Sequence, residues 1–236
     1  MSSELVRYEA RDAVALLTLD DGKANAVSPA VIAALNAALD RAAREEAGAV
    51  VLAGRPGRFS AGFDLSVMTA GQDALFSLVK GGAELALRMF EFPRPVVIAC
   101  TGHALAAGAV FLCSADVRLG AAGAFKIGLN EVAIQLPLPT FALELARARL
   151  TPRWLTRSVT QAHIFDPAAA VEAGFLDATT DAATVVDDAV AHAARLAALP
   201  DPAFRLTKQR ERGALIAQIR ATLDADIRTL TAPVPA

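Results

Sequence analysis

The order of apolar and polar positions predicts alternating strands and helices along the first two thirds of the chain. Short apolar runs that are typical of β-strands cover residues 5–9, 13–19, 49–53, 96–100 and 115–119. Between and after these runs, four polar residues each precede a proline, which predicts a helix capped by that side chain. They are Ser28, Thr151, Asp166 and Asp201. Strands that alternate with helices indicate an α/β fold.

Beyond about residue 180 the pattern becomes helical. Two amphipathic stripes are present, one at Val186, Val190, Ala193 and Leu196, and a longer one at Ile216, Ile219, Leu223, Ile227 and Leu230. Two such helices cannot bury their stripes alone, so they must pack on the main body or on another subunit. We therefore expect a main domain at residues 1–180 and a helical C-terminal oligomerisation region at residues 181–236.

Residues 95–115 form an uncharged window that is long enough to be a membrane-span candidate. Pro95 opens the window and the turn-forming residues Thr101, Gly102 and His103 interrupt it. A buried strand followed by a buried helix fits this composition at least as well as a membrane span. Because no Lys/Arg asymmetry or aromatic belt frames the window, we expect no membrane partner.

Composition narrows the classes of function. The 236 residues carry a net charge of −2 and 20% charged residues, which is not the basic footprint of a nucleic-acid-binding protein. Cys100 and Cys113 lie in apolar surroundings, where free cysteine behaves as a small core residue. The N-terminus lacks the pattern of a signal peptide. These features favour a reduced, cytoplasmic setting.

Familiar catalytic motifs are mostly missing from the sequence. His103, His163 and His192 are too far apart to suggest a metal site. The glycine-containing segment 102–108 is not followed by the Lys-Ser/Thr of a phosphate-binding P-loop, and no Gly-x-Gly-x-x-Gly is present. Ser60 lacks the Gly-x-Ser-x-Gly context of a hydrolase nucleophile. A metal-dependent, nucleotide-dependent or serine-nucleophile enzyme therefore has little support.

Two glycine-containing loops remain as candidates. Residues 59–65 follow a predicted strand, where glycine allows backbone amides to approach a ligand, although a plain turn with Asp64 as a helix cap explains them too. Residues 102–108 open an Ala-rich helix, whose first amides are unpaired donors at the positive end of the helix dipole. Such a position suits an anion or a developing oxyanion, but many helix starts have no such role.

Four stretches together resemble the crotonase, or enoyl-CoA hydratase/isomerase, family. They are Asn25-Ala26-Val27, residues 59–65 in the form F-x-A-G-x-D-L, residues 95–116 with the form P-V-V-x-x-x-x-G-x-A-x-x-x-G, and Asn130-Glu131-Val132. The resemblance implies a spiral of ββα turns in two nearly perpendicular sheets, a C-terminal helical region, and a homotrimer or hexamer. It also implies an acyl-CoA thioester substrate, with coenzyme A as part of that substrate, no separate cofactor and no metal.

The resemblance also implies which groups act. The backbone N–H groups of Phe63 and Ala107 are expected to form an oxyanion hole for the thioester oxygen, which stabilises an enolate by several kcal/mol. Alanine at position 107, where glycine is commoner, is compatible with this role if its φ stays negative. The CoA-binding residues expected by resemblance, largely through backbone contacts, are Ala24, Asn25, Ala26, Val27, Ala61, Gly62, Asp64 and Leu65.

The expected acid–base residues depart from the hydratase pattern. Hydratases of this family typically use two glutamates, and the positions that match them here are Val110 and Glu131. A single carboxylate at Glu131 is enough to move a proton between the 2- and 4-carbons of an enoyl chain, which favours Δ3,Δ2-enoyl-CoA isomerisation. An enoyl-CoA hydratase and a non-catalytic acyl-CoA-binding protein are the alternatives. Glu131 is otherwise a solvated residue that opens a loop.

Several further residues carry weaker expectations. Residues 135–139 replace the family's glycine-rich stretch, so we expect a remodelled acyl pocket. His103 is more typical of a packed, hydrogen-bonded residue than of a catalytic one. Five basic residues could meet CoA phosphates or simply be solvated. They are Arg55, Arg58, Lys208, Arg210 and Arg212.

Overall fold

A computed structural model describes residues 4–231 of the chain. The strands are β1 Val6–Arg11, β2 Val14–Leu19, β3 Ala49–Gly54, β4 Gly57–Ser60, β5 Val96–Cys100, β6 Gly102–Leu105, β7 Val117–Ala121, β8 Ile127–Gly128 and β9 Ala178–Thr180. The helices are α1 Pro29–Arg44, α2 Leu65–Met68, α3 Gln72–Glu91, α4 Ala107–Ser114, α5 Thr140–Arg149, α6 Pro152–Val159, α7 Pro167–Ala173, α8 Val185–Ala197 and α9 Asp201–Thr231. A short 3-10 helix spans Val132–Ile134.

Two sheets organise the fold. The larger has the order β1-β2-β3-β5-β7-β9, in which only the β1–β2 pair is antiparallel, and the smaller is a parallel sheet of β4-β6-β8. Successive strands enter different sheets and helices follow, as in β3-β4-α2-α3 and β5-β6-α4. This repeated ββα order confirms the predicted α/β, crotonase-like architecture.

The core lies on both faces of the larger sheet. Every residue of β3 and β5 is buried, as expected for parallel strands covered on two sides. One face packs against α8, through Val185, Ala189 and Ala193. The other face belongs to a larger cluster that includes α1, α3, α4 and α5. Cys100 and Cys113 are buried free cysteines in this larger cluster, which agrees with their expected packing role.

Helices begin within one residue of all four predicted starts, but only two of the four side chains make the predicted capping bond. Ser28 accepts a hydrogen bond from the Val31 amide, and Asp166 accepts one from Ala169. Thr151 makes no such bond, because its hydroxyl instead donates to the carbonyl of Glu172. Asp201 is itself the first residue of α9, where it pairs with Arg94 at 2.7 Å. Longer-range partners thus compete with the local capping pattern.

The segment that was predicted to be a turn at residues 101–103 contains the start of β6 instead. This strand pairs in parallel with β4 and β8, and these partners are distant in sequence, so no local pattern announces it. The predicted strand at 115–119 is shifted to β7, Val117–Ala121. In residues 4–231, no helix is long and apolar enough to cross a membrane, and the uncharged window contains β5, β6 and α4.

The long apolar stripe of α9 packs on its own chain. Ile219 and Ile227 are almost completely buried, and α9 makes most of its contacts with α3 and α5. The stripe is therefore satisfied without a second subunit, so it no longer argues for oligomerisation. The division into residues 1–180 and 181–236 stays a prediction.

Candidate active site

Asn25 holds together the two chain segments that form one side of the site. Its side chain is fully buried, and Nδ2 donates to the carbonyls of Leu19 at 2.9 Å and of Arg58 and Phe59 at 3.1 and 3.2 Å. In return, the Ser60 hydroxyl donates to the Asn25 carbonyl at 2.8 Å. The Asn25 carboxamide thus holds the end of β4 against the 20–27 loop, so it supports the loop that was expected to contact CoA.

Gly62 brings the two glycine-containing loops together. Its φ is +99°, and a Cβ placed there would lie 2.8 Å from the Cβ of Ala106 and 3.6 Å from the Ala107 nitrogen. Only glycine tolerates both the left-handed backbone and this crowding. The 59–65 loop can therefore approach the start of α4 closely.

The Phe63 amide faces away from the parallel bridge that joins its loop to Val27. Val27 donates to the Gly62 carbonyl at 2.8 Å and accepts from the Asp64 amide at 3.1 Å. Because backbone groups alternate in direction along an extended segment, the intervening Phe63 N–H lies on the opposite side. Within residues 4–231 this N–H has no acceptor.

A second free amide comes from the start of α4. Ala106 has φ +49° and ψ −122°, and its N–H donates to the Gly128 carbonyl at 3.1 Å. The positive φ therefore falls on Ala106, and Ala107 begins the helix with a negative φ, as its expected role requires. The Ala107 N–H is among the first amides of a helix, and no described residue accepts it.

Phe63 and Ala107 line the same cavity, which has a volume of about 190 Å³. Its wall is mostly apolar. The other lining residues are Ala61, Leu65, Met68, Leu75, Val79, Ala106, Val110, Asn130, Glu131, Ile134, Leu136, Pro137, Pro139, Phe141, Ala142 and Leu230. Two unpaired amides in an apolar cavity are suited to stabilising negative charge on an oxygen.

Glu131 is the only carboxylate among the residues that line this cavity. It follows β8, and its Oε2 atom is buried without a hydrogen-bond partner, as is Oδ1 of the neighbouring Asn130. Burial raises the pKa of Glu131 to about 7, against a smaller opposing effect of its own backbone amide. Val110 is an apolar neighbour in the wall, so position 110 supplies no second acid or base.

The residues expected to bind CoA are divided between two concave regions. Ala61 and Leu65 lie at the cavity, and Leu65 is 65% exposed. Ala24, Ala26 and Asp64 line a neighbouring cleft of about 400 Å³. In sequence, Gly62 lies between Ala61, which lines the cavity, and Asp64, which lines the cleft. Val27 is fully buried, and its backbone hydrogen-bonds to the 59–65 loop.

Asp64 has a local structural role. Its carboxylate caps α2 by accepting hydrogen bonds from the backbone N–H and hydroxyl of Ser66. These hydrogen bonds lower the pKa of Asp64. This agrees with the simpler interpretation of Asp64 as a helix cap. Lys23, which was not predicted, lines the same cleft and supplies a positive charge there.

His103 lies on β6 and does not line the cavity. Its Nδ1 accepts a hydrogen bond from the Lys126 amide at 2.9 Å, and its ring meets Phe125 edge-on at 5.4 Å. Burial, together with the charges of Arg58 and Lys126, lowers the pKa of His103. These contacts agree with a packed, hydrogen-bonded histidine.

Two of the five basic residues considered for CoA are engaged elsewhere. Lys208 and Arg212 are buried, and both pair with Asp116, at 2.7 and 2.8 Å. The idea that they meet CoA phosphates is therefore wrong, because α9 packs their side chains inward. Arg210 and Arg58 are exposed, and Arg55 is half-buried. Within residues 4–231 no group of three or more His, Cys, Asp or Glu is arranged to hold a metal ion.

Much of the cavity wall was not predicted from the sequence. Leu75 and Val79 come from α3, Phe141 and Ala142 from α5, and Leu230 from α9. Each is an ordinary apolar position in a helical pattern, and its position beside Glu131 depends on packing between distant elements. No local signal separates these residues from the rest of the core.

Solved structures of similar overall shape are known. A family protein from Pseudomonas syringae, described as an enoyl-CoA hydratase/isomerase family protein, is 44% identical, with coverage of 98% of this chain and 100% of that chain and a TM-score of 0.94. A Mycobacterium tuberculosis protein is described as an enoyl-CoA isomerase in its apo structure and as a probable enoyl-CoA hydratase in another structure. Its apo structure is 41% identical, with coverage of 96% and 99% and a TM-score of 0.92.

Curated relatives carry both family activities in their names. Human enoyl-CoA delta isomerase 1, mitochondrial, is 28% identical over 95% of this chain and 76% of its own length. A probable enoyl-CoA hydratase of Rhodobacter capsulatus is 37% identical over 52% of this chain and 49% of its own length. The family model for enoyl-CoA hydratase/isomerase matches residues 9–235. The chain is therefore an enzyme that belongs to the enoyl-CoA hydratase/isomerase family.

Proposed function

We propose that this enzyme is a Δ3,Δ2-enoyl-CoA isomerase in which Glu131 carries the proton. The observation that supports this most directly is one unpaired carboxylate in the same apolar cavity as two unpaired amides. The amides belong to Phe63 and Ala107. A carboxylate with a pKa of about 7 can both accept and return a proton near neutral pH, which suits a shuttle between two carbons.

The proposed step conserves atoms and charge. The thioester oxygen accepts hydrogen bonds from the Phe63 and Ala107 amides, and the Glu131 carboxylate takes a proton from C2 of the Δ3-enoyl chain. The electrons of that C–H bond move into a dienolate whose charge rests on the thioester oxygen. The protonated Glu131 then gives the same proton to C4, which leaves the double bond between C2 and C3.

Hydration is the alternative that the site supports less well. It requires a water to be oriented and deprotonated, a task for which family hydratases typically use a second glutamate, and Val110 occupies that position. Proteins named as isomerases and proteins named as hydratases both match nearly the whole chain, so their names do not separate the two activities. The absence of a carboxylate at position 110 therefore favours isomerisation.

We place the CoA moiety along the backbone of residues 24–27 and 61–65. This agrees with the cleft beside Lys23 and Asp64, because the Lys23 ammonium can meet a phosphate at its rim. Asn25 is assigned a supporting role in that loop, through its buried carboxamide. The acyl chain then enters the apolar cavity beyond the thioester.

Three further expectations rest on the family resemblance alone: a homotrimer or hexamer, a cytoplasmic location and a place in fatty acid metabolism. The apolar stripe of α9 does not require an oligomer, since it is buried on its own chain. Size-exclusion chromatography with light scattering tests the first expectation, and a clean monomer would contradict it.

The activity is tested by giving the purified protein cis-3-enoyl-CoA and trans-2-enoyl-CoA separately and following the conjugated-enoyl absorbance. Isomerisation of the first substrate raises this absorbance, and hydration of the second lowers it. We expect a fast rise and a slow fall. Efficient hydration that survives the Glu131→Gln substitution would overturn the proposal, and tight acyl-CoA binding by calorimetry without conversion of either isomer would identify a carrier instead.

A further inference from the structure

The last turn of α9 closes one side of the acyl cavity. Leu230 lies in this turn and lines the cavity, and Ile227, one turn earlier, is fully buried in the core. The C-terminal helix thus supplies a wall to the site of its own chain. Truncating Leu230 would enlarge the cavity on this side without removing Glu131, Phe63 or Ala107.

A single carboxylate fixes this turn to another wall of the cavity. Asp226 Oδ2 accepts a hydrogen bond from the Thr140 amide at 2.7 Å, and Oδ1 accepts one from the Thr140 hydroxyl at 2.6 Å. Thr140 is the first residue of α5, whose preceding residue Pro139 gives no side-chain cap. Asp226 therefore caps α5 from another helix and also meets the positive end of its dipole.

The capped end of α5 belongs to the cavity. Phe141 and Ala142, the two residues after Thr140, line it together with Leu230. The Asp226 carboxylate thus sets the separation of two walls, one on α5 and one on α9. A second tie joins α9 to α3, because Lys80 pairs with Asp224 at 2.7 Å and Arg228 lies over the Phe76 ring at 4.9 Å.

We infer that Leu230 determines which acyl-chain lengths the site accepts, and that Asp226 is the positioning residue that holds Leu230 against the chain. Leu230 can have this role only if an acyl chain occupies the cavity, so the inference rests on the proposed acyl-CoA function. Each methylene of substrate that is buried in space vacated by Leu230 should improve affinity by about fourfold. The chain-length optimum should therefore shift when the side chain at position 230 changes size.

The test compares kcat/KM for cis-3-enoyl-CoA substrates from hexenoyl to hexadecenoyl. Leu230→Ala should move the optimum to longer chains, and Leu230→Trp should move it to shorter ones, with smaller changes for hexenoyl-CoA. Leu206→Ala is the matched control, because it removes the same atoms from an exposed position on the same helix. It should leave the profile unchanged. Calorimetry with saturated butanoyl-, octanoyl- and hexadecanoyl-CoA provides the same comparison without catalysis.

Asp226→Ala should broaden the chain-length profile, and Asp226→Asn should restore most of it, because an amide oxygen can still accept from Thr140. A purely structural role would lower the activity or thermal stability of both variants while leaving the profile unchanged. If the wild type binds acyl-CoA and turns it over with the same length preference as Leu230→Ala and Leu230→Trp, the inference about Leu230 is wrong. If the wild type neither binds nor converts any substrate, the proposed function itself fails.

Discussion

Two largely buried carboxylates, those of Asp116 and Glu131, differ in the hydrogen-bond donors that surround them. Asp116 accepts hydrogen bonds from Lys208 and the Val96 amide, both at 2.7 Å, and pairs with Arg212 at 2.8 Å. Glu131, in contrast, keeps one oxygen buried with no donor among the described residues. The protein supplies polar partners to both oxygens of Asp116, but none to the buried oxygen of Glu131.

This difference separates a cluster that maintains the fold from the site at which we propose that the chemistry occurs. A buried acceptor without a donor costs about 1–3 kcal/mol, so its retention points to a use that offsets the cost. Around Asp116 the charges join the start of α9 to the larger sheet. Glu131 instead lines the apolar cavity in which we propose that the acyl chain binds.

The largest expected effect comes from neutralising the unpaired carboxylate. Glu131→Gln keeps the shape of the side chain but removes its ability to carry a proton, so kcat for isomerisation should fall by about a thousandfold. Thermal stability should not fall, because the substitution removes a buried charge that nothing pairs. Single-turnover kinetics and thermal unfolding measure the two effects. Retention of more than a tenth of the activity would show that Glu131 is not the proton carrier.

The satisfied carboxylate should show the reverse behaviour. Asp116→Ala leaves Lys208 and Arg212 buried without their anion, which should cost about 3 kcal/mol of unfolding free energy. The KM of the remaining folded enzyme should stay near that of the wild type, because none of these side chains lines the cavity. Urea denaturation gives the first quantity and steady-state kinetics the second.

Asp201→Ala is the matched control for Asp116. Asp201 also pairs with a basic residue near the start of α9, but its partner Arg94 is partly exposed, so the loss should be below about 1 kcal/mol. Equal losses for the two substitutions would contradict the importance that we give to burial of the Asp116 cluster.

The pH dependence of rate and stability should separate the two carboxylates further. Activity requires the ionised form of Glu131, so kcat/KM should rise with pH through an apparent pKa of about 7. The folded pKa lies above the unfolded value, so the folded state binds the proton more tightly. The resulting stabilisation is complete below about pH 4.5 and is lost as the pH rises through 7. Denaturation midpoints at several pH values measure this loss of stability with rising pH. It should be present in the wild type and absent in Glu131→Gln.

The fold could be predicted from the sequence in outline because its strands and helix starts leave local signals. Val- and Ile-rich runs mark the central strands, and Ser28 and Asp166 mark helix starts. The smaller sheet left no such signal, since β4, β6 and β8 are short and are defined by pairing with distant strands. Thr151 and Asp201 failed as caps for a similar reason, because distant partners took their side chains.

The chemistry of the site was easier to predict than its walls. Phe63, Ala107 and Glu131 were expected through the family resemblance of the motifs that contain them, and the structure brings all three to one cavity. Leu230 could not be found in this way, because nothing in an amphipathic stripe shows which of its positions meets a substrate. The unpaired Oε2 of Glu131 is likewise visible only once the surrounding segments are packed.

Apart from the Asp201→Ala control, the smallest expected effect concerns backbone strain at Ala106, which lines the cavity with Glu131. Ala106 has φ +49° and ψ −122°, a conformation that costs a residue with a side chain about 1–3 kcal/mol. Ala106→Gly should therefore raise the unfolding free energy by about 1 kcal/mol, even after the extra entropy of unfolded glycine is counted. Ala109→Gly, in the ordinary helical backbone of α4, should lower it by a similar amount or more. If kcat falls in Ala106→Gly while stability rises, the strain holds the Ala107 amide in place, whereas a loss of stability would show that the conformation of Ala106 carries no strain.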